Sequence, residues 1–255
     1  MKKVALVVGG GRSLGEYLSK HMAKEGYQIA VADINLDNAL KVAAEIGEDE
    51  AMGVGVDATN EMEVKEMVKK VADRFGRIDL LIYNAGVAKS SKITDFKLDD
   101  FKWSVDVNLV GYFLCAREVS KVMIEKNIQG SIIQINSKSG KVGSKHNSGY
   151  SAAKFAGVGL TQSLALDLAE HKITVNSMML GNLLDSDMFE SLIPQYAKKL
   201  SIKESEVKQV YIDKVPLKRG CSFEDVANTI TFYASDKAAY ITGQSVNITG
   251  GQVMH

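Results

Sequence analysis

The chain has 255 residues, 45% of them hydrophobic, and its 31 lysines and arginines balance 31 aspartates and glutamates. That length and apolar content sustain a sizeable core, and α/β chains of this size commonly form one domain. The charge balance excludes the overall basic footprint of a nucleic-acid binder, and no apolar stretch approaches the length of a membrane span.

The opening MKKVALVVGGG holds two lysines and an apolar run too short for a secretory signal, and glycines break the run at once. It reads as a first strand, Val4–Val8, continuously apolar as a strand covered on both faces is. Leu14, Leu18 and Met22 repeat at helical spacing up to Gly26. Ile29–Ala32 is a second strand. Ala39, Leu40, Ala43 and Ile46 mark a second helix closed by Gly47. Met52–Val56 is a weaker third strand, Met62–Phe75 a helix and Ile78–Tyr83 a fourth strand. A long helix is predicted over Ser104–Lys126, a fifth strand over Ile132–Asn136 and another long helix over Tyr150–Glu170. Thr174–Met179 and Ser245–Ile248 complete seven strands. Both prolines, Pro194 and Pro216, fall in the one stretch that breaks the rhythm, roughly 182–220, which reads as irregular. The alternation predicts an α/β fold: a single-domain, Rossmann-type doubly wound sheet of about seven parallel strands with helices on both faces.

Cys115 and Cys221 lie far apart, which suits a reducing compartment such as the cytoplasm and gives no zinc spacing. His21, His146, His171 and His255 are equally scattered, so no metal site is expected.

VVGGGRSLGEYL links the first strand to the first helix. Gly9, Gly10, Gly11 and Gly15 permit a tight turn that brings backbone N–H groups and a helix N-terminus to a phosphate, although a ligand-free βα turn is the blander reading. Asp33 stands at the end of the second strand, where an acid accepts hydrogen bonds from an adenosine ribose; otherwise it is a solvated strand-end acid. A carboxylate there repels a 2′-phosphate, by about 4 kcal/mol for unit charges 4 Å apart at an effective dielectric near 20. That favours NAD over NADP. Arg12 points the other way, since an arginine in this loop can pair with a 2′-phosphate.

Tyr150 and Lys154 stand one helical turn apart. An ammonium beside a phenol lowers the phenol's pKa and lets it exchange a proton with an alcohol or carbonyl during hydride transfer. Alone the pair is weak, because lysine is abundant. Ser137, at the end of the fifth strand, offers a hydroxyl to a substrate oxygen. Asn108 is an amide in an apolar helical stretch, VDVNLVGYF, and needs a partner: a water or carbonyl in a proton relay, or the backbone of a satisfied core.

Together these residues resemble the short-chain dehydrogenase/reductase family. The resemblance runs from Val4 to about Gln252. It rests on the loop 9–15, Asp33, Asp57 in VGVDAT, YNAG at 83–86, Asn108, Ser137, Tyr150, Lys154, Val175–Asn176 and TGQSVNITGG at 242–251. It implies a dinucleotide-binding and catalytic domain over residues 1–255, with 182–220 closing over the substrate. It implies that Gly9, Gly11, Arg12, Ser13, Leu14, Gly15, Asp33, Asp57, Asn84, Ala85, Gly86, Tyr150, Lys154, Gly181 and Leu183 line the cofactor. Tyr150 is then the acid/base, Lys154 holds the nicotinamide ribose and tunes Tyr150, Ser137 positions substrate and Asn108 continues the relay. The family's habit also implies a homotetramer through the helices at 104–126 and 150–170. The chain departs from the pattern at Val8, Ser13 and Leu180. The stretch GNLLDSDM is one residue longer than the family's usual pattern, which leaves open whether Ser186 reaches the nicotinamide amide.

The segment between Ser137 and Tyr150 walls the substrate pocket in this family and is commonly apolar. Here it carries Lys138, Lys141, Lys145 and His146. Lysines at a pocket mouth attract an anion, and the alternative is a solvated loop. Lys141, Lys145 and His146 are therefore candidates for a substrate phosphate. Lys198, Lys199, Lys214, Lys218 and Arg219 of the closing region are the second choice. Within the family, INSKSGKVGSKHNSGYSAAK and KVPLKRG resemble enzymes of phosphorylated hexitols. That resemblance implies a small-molecule phosphorylated hexitol/ketose pair, D-sorbitol 6-phosphate and D-fructose 6-phosphate, reacting at C2 with NAD. The rivals are a carrier-protein-linked 3-oxoacyl reductase, another polyol or sugar dehydrogenase of the family, and a non-catalytic dinucleotide sensor.

Overall fold

Strand β1 (Val4–Val8) is made of five apolar residues that are all but inaccessible to solvent. Alternate side chains point to opposite faces of a strand, so such a run needs a cover on both sides. The computed structural model describes residues 2–255 and supplies both covers.

In chain order β1 is followed by α1 (Ser13–Lys24), β2 (Gln28–Asp33), α2 (Leu36–Ile46), β3 (Ala51–Gly55), α3 (Glu61–Phe75) and β4 (Leu80–Tyr83). Then come α4 (Leu98–Val105), a π-helical turn (Asp106–Val110), α5 (Gly111–Glu125), β5 (Ser131–Ser137) and α6 (Ser148–Leu168). The chain ends with β6 (Thr174–Leu180), α7 (Asp187–Leu200), α8 (Glu204–Asp213), α9 (Phe223–Tyr233) and β7 (Ser245–Ile248). The seven strands form one sheet in the order β3-β2-β1-β4-β5-β6-β7, and every pair is parallel.

Val4, Leu6 and Val8 face one core layer, with Val64 and Met67 of α3, Leu114 and Val119 of α5 and Ala165 of α6. Ala5 and Val7 face the other, with Leu14, Leu18 and Met22 of α1, Val42 of α2 and Ile230 of α9. On α2 the buried face is Ala39, Val42 and Ala43; Leu40, expected inside, is exposed.

The helix expected over Ser104–Lys126 starts earlier, at Leu98, and is interrupted at Asp106–Val110. There the ladder widens so that the Gly111 N–H reaches the Asp106 carbonyl. The Tyr83 hydroxyl enters the widened turn and donates to Val107 O at 2.5 Å. Insertion of a side chain is one of the few causes of such a break. The stretch 182–220 is largely helical rather than irregular. Ser186 caps α7 by accepting from the Phe189 N–H at 3.2 Å, and α7 tolerates Pro194 inside it. With α8 it encloses a small core of its own, built on Leu184, Phe189, Ala197 and Val207. Among the described residues, no helix is long and apolar enough to cross a membrane.

Candidate active site

The sheet order reverses between β1 and β4, and an open parallel sheet offers its ligand crevice at such a switch, outside the carboxyl ends of the strands. The glycine loop leaves β1 there. Gly9 takes φ +75, and a methyl group on it would fall 2.7 Å from the Ala85 backbone nitrogen. Asn84 Nδ2 donates to Gly9 O at 2.7 Å and ties the end of β4 to the loop. A methyl on Gly15 would fall 1.8 Å from that same carbonyl oxygen.

Asp33 is 8% exposed. One carboxylate oxygen accepts from the Gly11 N–H at 2.9 Å and the other from the Asn35 N–H at 3.0 Å. It is thus a built part of the crevice and not a solvated strand-end acid. Leu14 is buried in the α1 layer. Arg12 is exposed, with no side-chain hydrogen bond among the described residues. Ser13 keeps the left-handed backbone of the glycine it replaces, at φ 51, and its hydroxyl accepts from the Asp187 N–H at 3.3 Å. The departure at this position links the loop to the start of α7. Asp57, just beyond β3, spends one oxygen on the backbone and hydroxyl of Thr59, at 2.9 and 2.7 Å.

The start of α1 has no side-chain cap, whereas α2, α3, α7 and α9 are capped by Asn35, Asn60, Ser186 and Ser222. Uncapped first-turn N–H groups at the positive end of a helix, facing a glycine turn, suit an anion. With the buried Asp33 beside them, the residues present fit a dinucleotide.

Tyr150 and Lys154 project from one face of α6, with Lys154 Nζ 5.5 Å from the Tyr150 ring centroid. The ammonium donates to Ile135 O at 3.0 Å and is 4% exposed as a residue. Burial pulls its pKa down to about 7. Burial likewise pushes the Tyr150 phenol above its ordinary value, and the Ser137 hydroxyl beside it offsets part of that rise. The net shift of the phenol is thus upward, opposite in direction to the lowering expected from Lys154.

Ser137 stands at the end of β5 and caps the short turn Lys138–Gly140 by accepting from the Ser139 N–H at 3.1 Å. A methyl on Gly86 would lie 3.0 Å from Asn108 Oδ1 and 3.9 Å from Lys154 Nζ, so these three residues converge. Asn108 is wholly buried. Its amide donates to Val87 O and Ser104 O, both at 2.8 Å, and accepts from the Val87 N–H at 3.3 Å. The side chain is held by backbone on both sides, and it fixes the segment after β4 against the π turn. Gly181 and Leu183 follow β6. The Gly181 N–H donates to Ile248 O at 2.9 Å, and Leu183 packs against the α1 and α9 layer. The Ser186 hydroxyl donates to Leu183 O at 2.8 Å besides capping α7, so it is already engaged.

The predicted phosphate candidates disperse. Lys141 Nζ donates to Ser245 O at 2.7 Å, on the β7 edge of the sheet. The Lys145 side chain is exposed. His146 holds a left-handed backbone at φ 64, and its carbonyl accepts from the Ser91 N–H. Lys138 instead turns inward, donating to Asn182 Oδ1 and Gln252 Oε1, each at 2.7 Å. Sequence reasoning missed Asn182 and Gln252, because no local motif joins positions so far apart.

Residues 3–197 match the short chain dehydrogenase family. This chain belongs to that family. Its members are oxidoreductases that use a nicotinamide dinucleotide. The chain is 64% identical to sorbitol-6-phosphate 2-dehydrogenase of Escherichia coli K12 over all of both chains. The crystal structure of sorbitol-6-phosphate 2-dehydrogenase from Erwinia amylovora superposes with a TM-score of 0.97 at 63% identity, covering 99% of this chain and 100% of that one. A 3-oxoacyl-[acyl-carrier-protein] reductase of Staphylococcus epidermidis is 35% identical over all of both chains.

Proposed function

We propose that this chain interconverts D-sorbitol 6-phosphate and D-fructose 6-phosphate by hydride transfer at C2, with NAD. The observation that carries the reading is the 64% identity to the Escherichia coli enzyme along the full length of both chains. The reductase alternative rests on 35% identity and is not favoured.

A nicotinamide held beside Tyr150 and Lys154 would supply the hydride acceptor for C2 oxidation and the hydride donor for the reverse. Tyr150 takes the proton from the C2 hydroxyl as the ketone forms and gives it back in reverse. Ser137, whose hydroxyl lies beside that phenol, shares the substrate oxygen with it and holds it in place. Lys154, in its charged form, favours the phenolate across the 5.5 Å to the ring. Asn108 acts as a positioning residue by fixing Val87. The glycine loop and the uncapped start of α1 hold the pyrophosphate. Asp33 binds the adenosine ribose and repels a 2′-phosphate, which favours NAD over NADP.

Helices α7 and α8 close the pocket. In support, the Ser90 N–H donates to Gln195 Oε1 at 3.2 Å and Lys199 Nζ to Lys145 O at 2.6 Å. Exposed Trp103, Phe113, Phe155 and Leu166 on α4, α5 and α6 support a homotetramer built through those helices.

The test is dinucleotide reduction by the purified protein against a panel of polyols and their phosphates. Sorbitol 6-phosphate with NAD should give the highest kcat/KM. Preference for a 3-oxoacyl substrate with NADPH would overturn the reading.

A further inference from the structure

Tyr196 of α7 and Tyr211 of α8 pack with their rings tilted by 37° and 5.2 Å between centroids. Three ammonium groups surround this pair. Lys138 Nζ lies 5.9 Å and Lys214 Nζ 5.1 Å from the Tyr211 ring, and Lys199 Nζ lies 6.0 Å from the Tyr196 ring. They come from three places in the chain: the turn after Ser137, the end of α7 and the residue after α8. Their neighbours hold them there. Lys138 is gripped by Asn182 and Gln252, and Lys199 by the Lys145 carbonyl. None of the three meets a carboxylate among the described residues, although Lys208 of α8 bridges to Asp185 and Glu190.

Gathering like charges without a counter-ion is unfavourable. Burial, with the charges of Lys214 and Lys199, pulls the Lys138 pKa down to about 8, and burial with Lys214 and Lys145 lowers that of Lys199. A dianion placed among them would relieve this repulsion. The position is suitable as well. Lys138 directly follows Ser137 in the chain, and its ammonium is bonded to Asn182 just beyond β6. The cluster thus borders the reacting end of the pocket.

We propose that Lys138, Lys199 and Lys214, gathered on the Tyr196–Tyr211 pair, form the site that holds the phosphate of the substrate while C2 faces Tyr150. The proposal rests on the hexitol phosphate reading above. It replaces Lys141, Lys145 and His146 as the phosphate ligands, and it makes α7 and α8 the elements that recognise the phosphate.

Lys199→Gln and Lys214→Gln test it at half-buried and exposed positions where folding should survive, with Lys138→Met as the third variant. Each lysine removed should raise KM for sorbitol 6-phosphate and lower kcat/KM by roughly ten- to a hundredfold, with kcat less affected. Lys145→Ala should stay near wild type. A second readout needs no turnover: binding of inorganic phosphate to the NAD-saturated protein, by calorimetry. It should be competitive with sorbitol 6-phosphate and weaken in the same variants. Unchanged KM and unchanged phosphate binding in both Gln variants would overturn the site. A wild-type protein that binds phosphate through these lysines but does not turn over sorbitol 6-phosphate would keep the site and sink the substrate reading.

Discussion

The Gly11 N–H donates to Asp33 Oδ2 at 2.9 Å, and a methyl group on Gly11 would lie 2.9 Å from the same oxygen. The glycine and the acid are therefore one unit: the absence of a side chain at position 11 is what lets the carboxylate reach the loop. Asp33→Ser removes the charge facing the ribose and leaves exposed Arg12 free to meet a 2′-phosphate. The ratio of kcat/KM for NAD over NADP should fall by about tenfold or more, equal to roughly 1.4 kcal/mol. A wild-type enzyme that already prefers NADP would refute the role given to Asp33.

Tyr150→Phe removes the phenol oxygen and keeps the ring beside Lys154. Turnover should drop by about 10²–10⁴, the usual contribution of an acid–base group, while NADH affinity stays close to wild type. Retention of more than about a tenth of the rate would remove Tyr150 from the proton-transfer step.

Sequence patterns located all seven strands to within about two residues, because buried parallel strands are continuous apolar runs and glycines punctuate them. The same was true of Ser137, Tyr150 and Lys154, which short spacings bring to one place. Two things were not legible. The break at Asp106–Val110 depends on the Tyr83 hydroxyl, a tertiary contact over 24 positions that leaves no helical-period signal. The lysine grouping was not legible either, because charge density along the chain says nothing of direction. Lys141 and Lys138 lie three residues apart, yet one reaches the β7 edge and the other the tyrosine pair. Helices α7 and α8 were masked by Pro194, which the fold accommodates inside α7.

The π turn yields a stability prediction. A methyl on Gly111 would sit 2.3 Å from the Tyr83 hydroxyl oxygen. Gly111→Ala should therefore destabilise the protein by about 1–3 kcal/mol, the usual cost of overpacking, despite the better helix propensity of alanine. Tyr83→Phe removes the clashing oxygen at the loss of one hydrogen bond. In the double variant the two losses should fall short of their sum by about 1 kcal/mol or more, measured by urea denaturation. Strict additivity would mean that the hydroxyl does not occupy the turn.

Lys154 gives the pH dependence. Its ordinary pKa is 10.5, and burial lowers it in the folded chain to about 7. Between these pH values the unfolded chain binds more protons than the folded one, so the contribution of Lys154 to stability rises with pH from about 7 to 10.5. Below that window both states are protonated and the folded chain bears the full cost of a buried ammonium, relieved only in part by Ile135 O. Lys154→Met keeps the length of the side chain and removes the charge. It should abolish most activity and yet raise the stability of the cofactor-free protein at pH 7 by at least about 1 kcal/mol, since one pKa unit corresponds to about 1.4 kcal/mol. The advantage over wild type should shrink as pH approaches 10, because only the wild-type lysine discharges on the way. Urea unfolding of both proteins at several pH values measures it. A variant less stable than wild type at pH 7, or a gap that does not change with pH, would show that the ammonium is satisfied in the fold without a dinucleotide beside it.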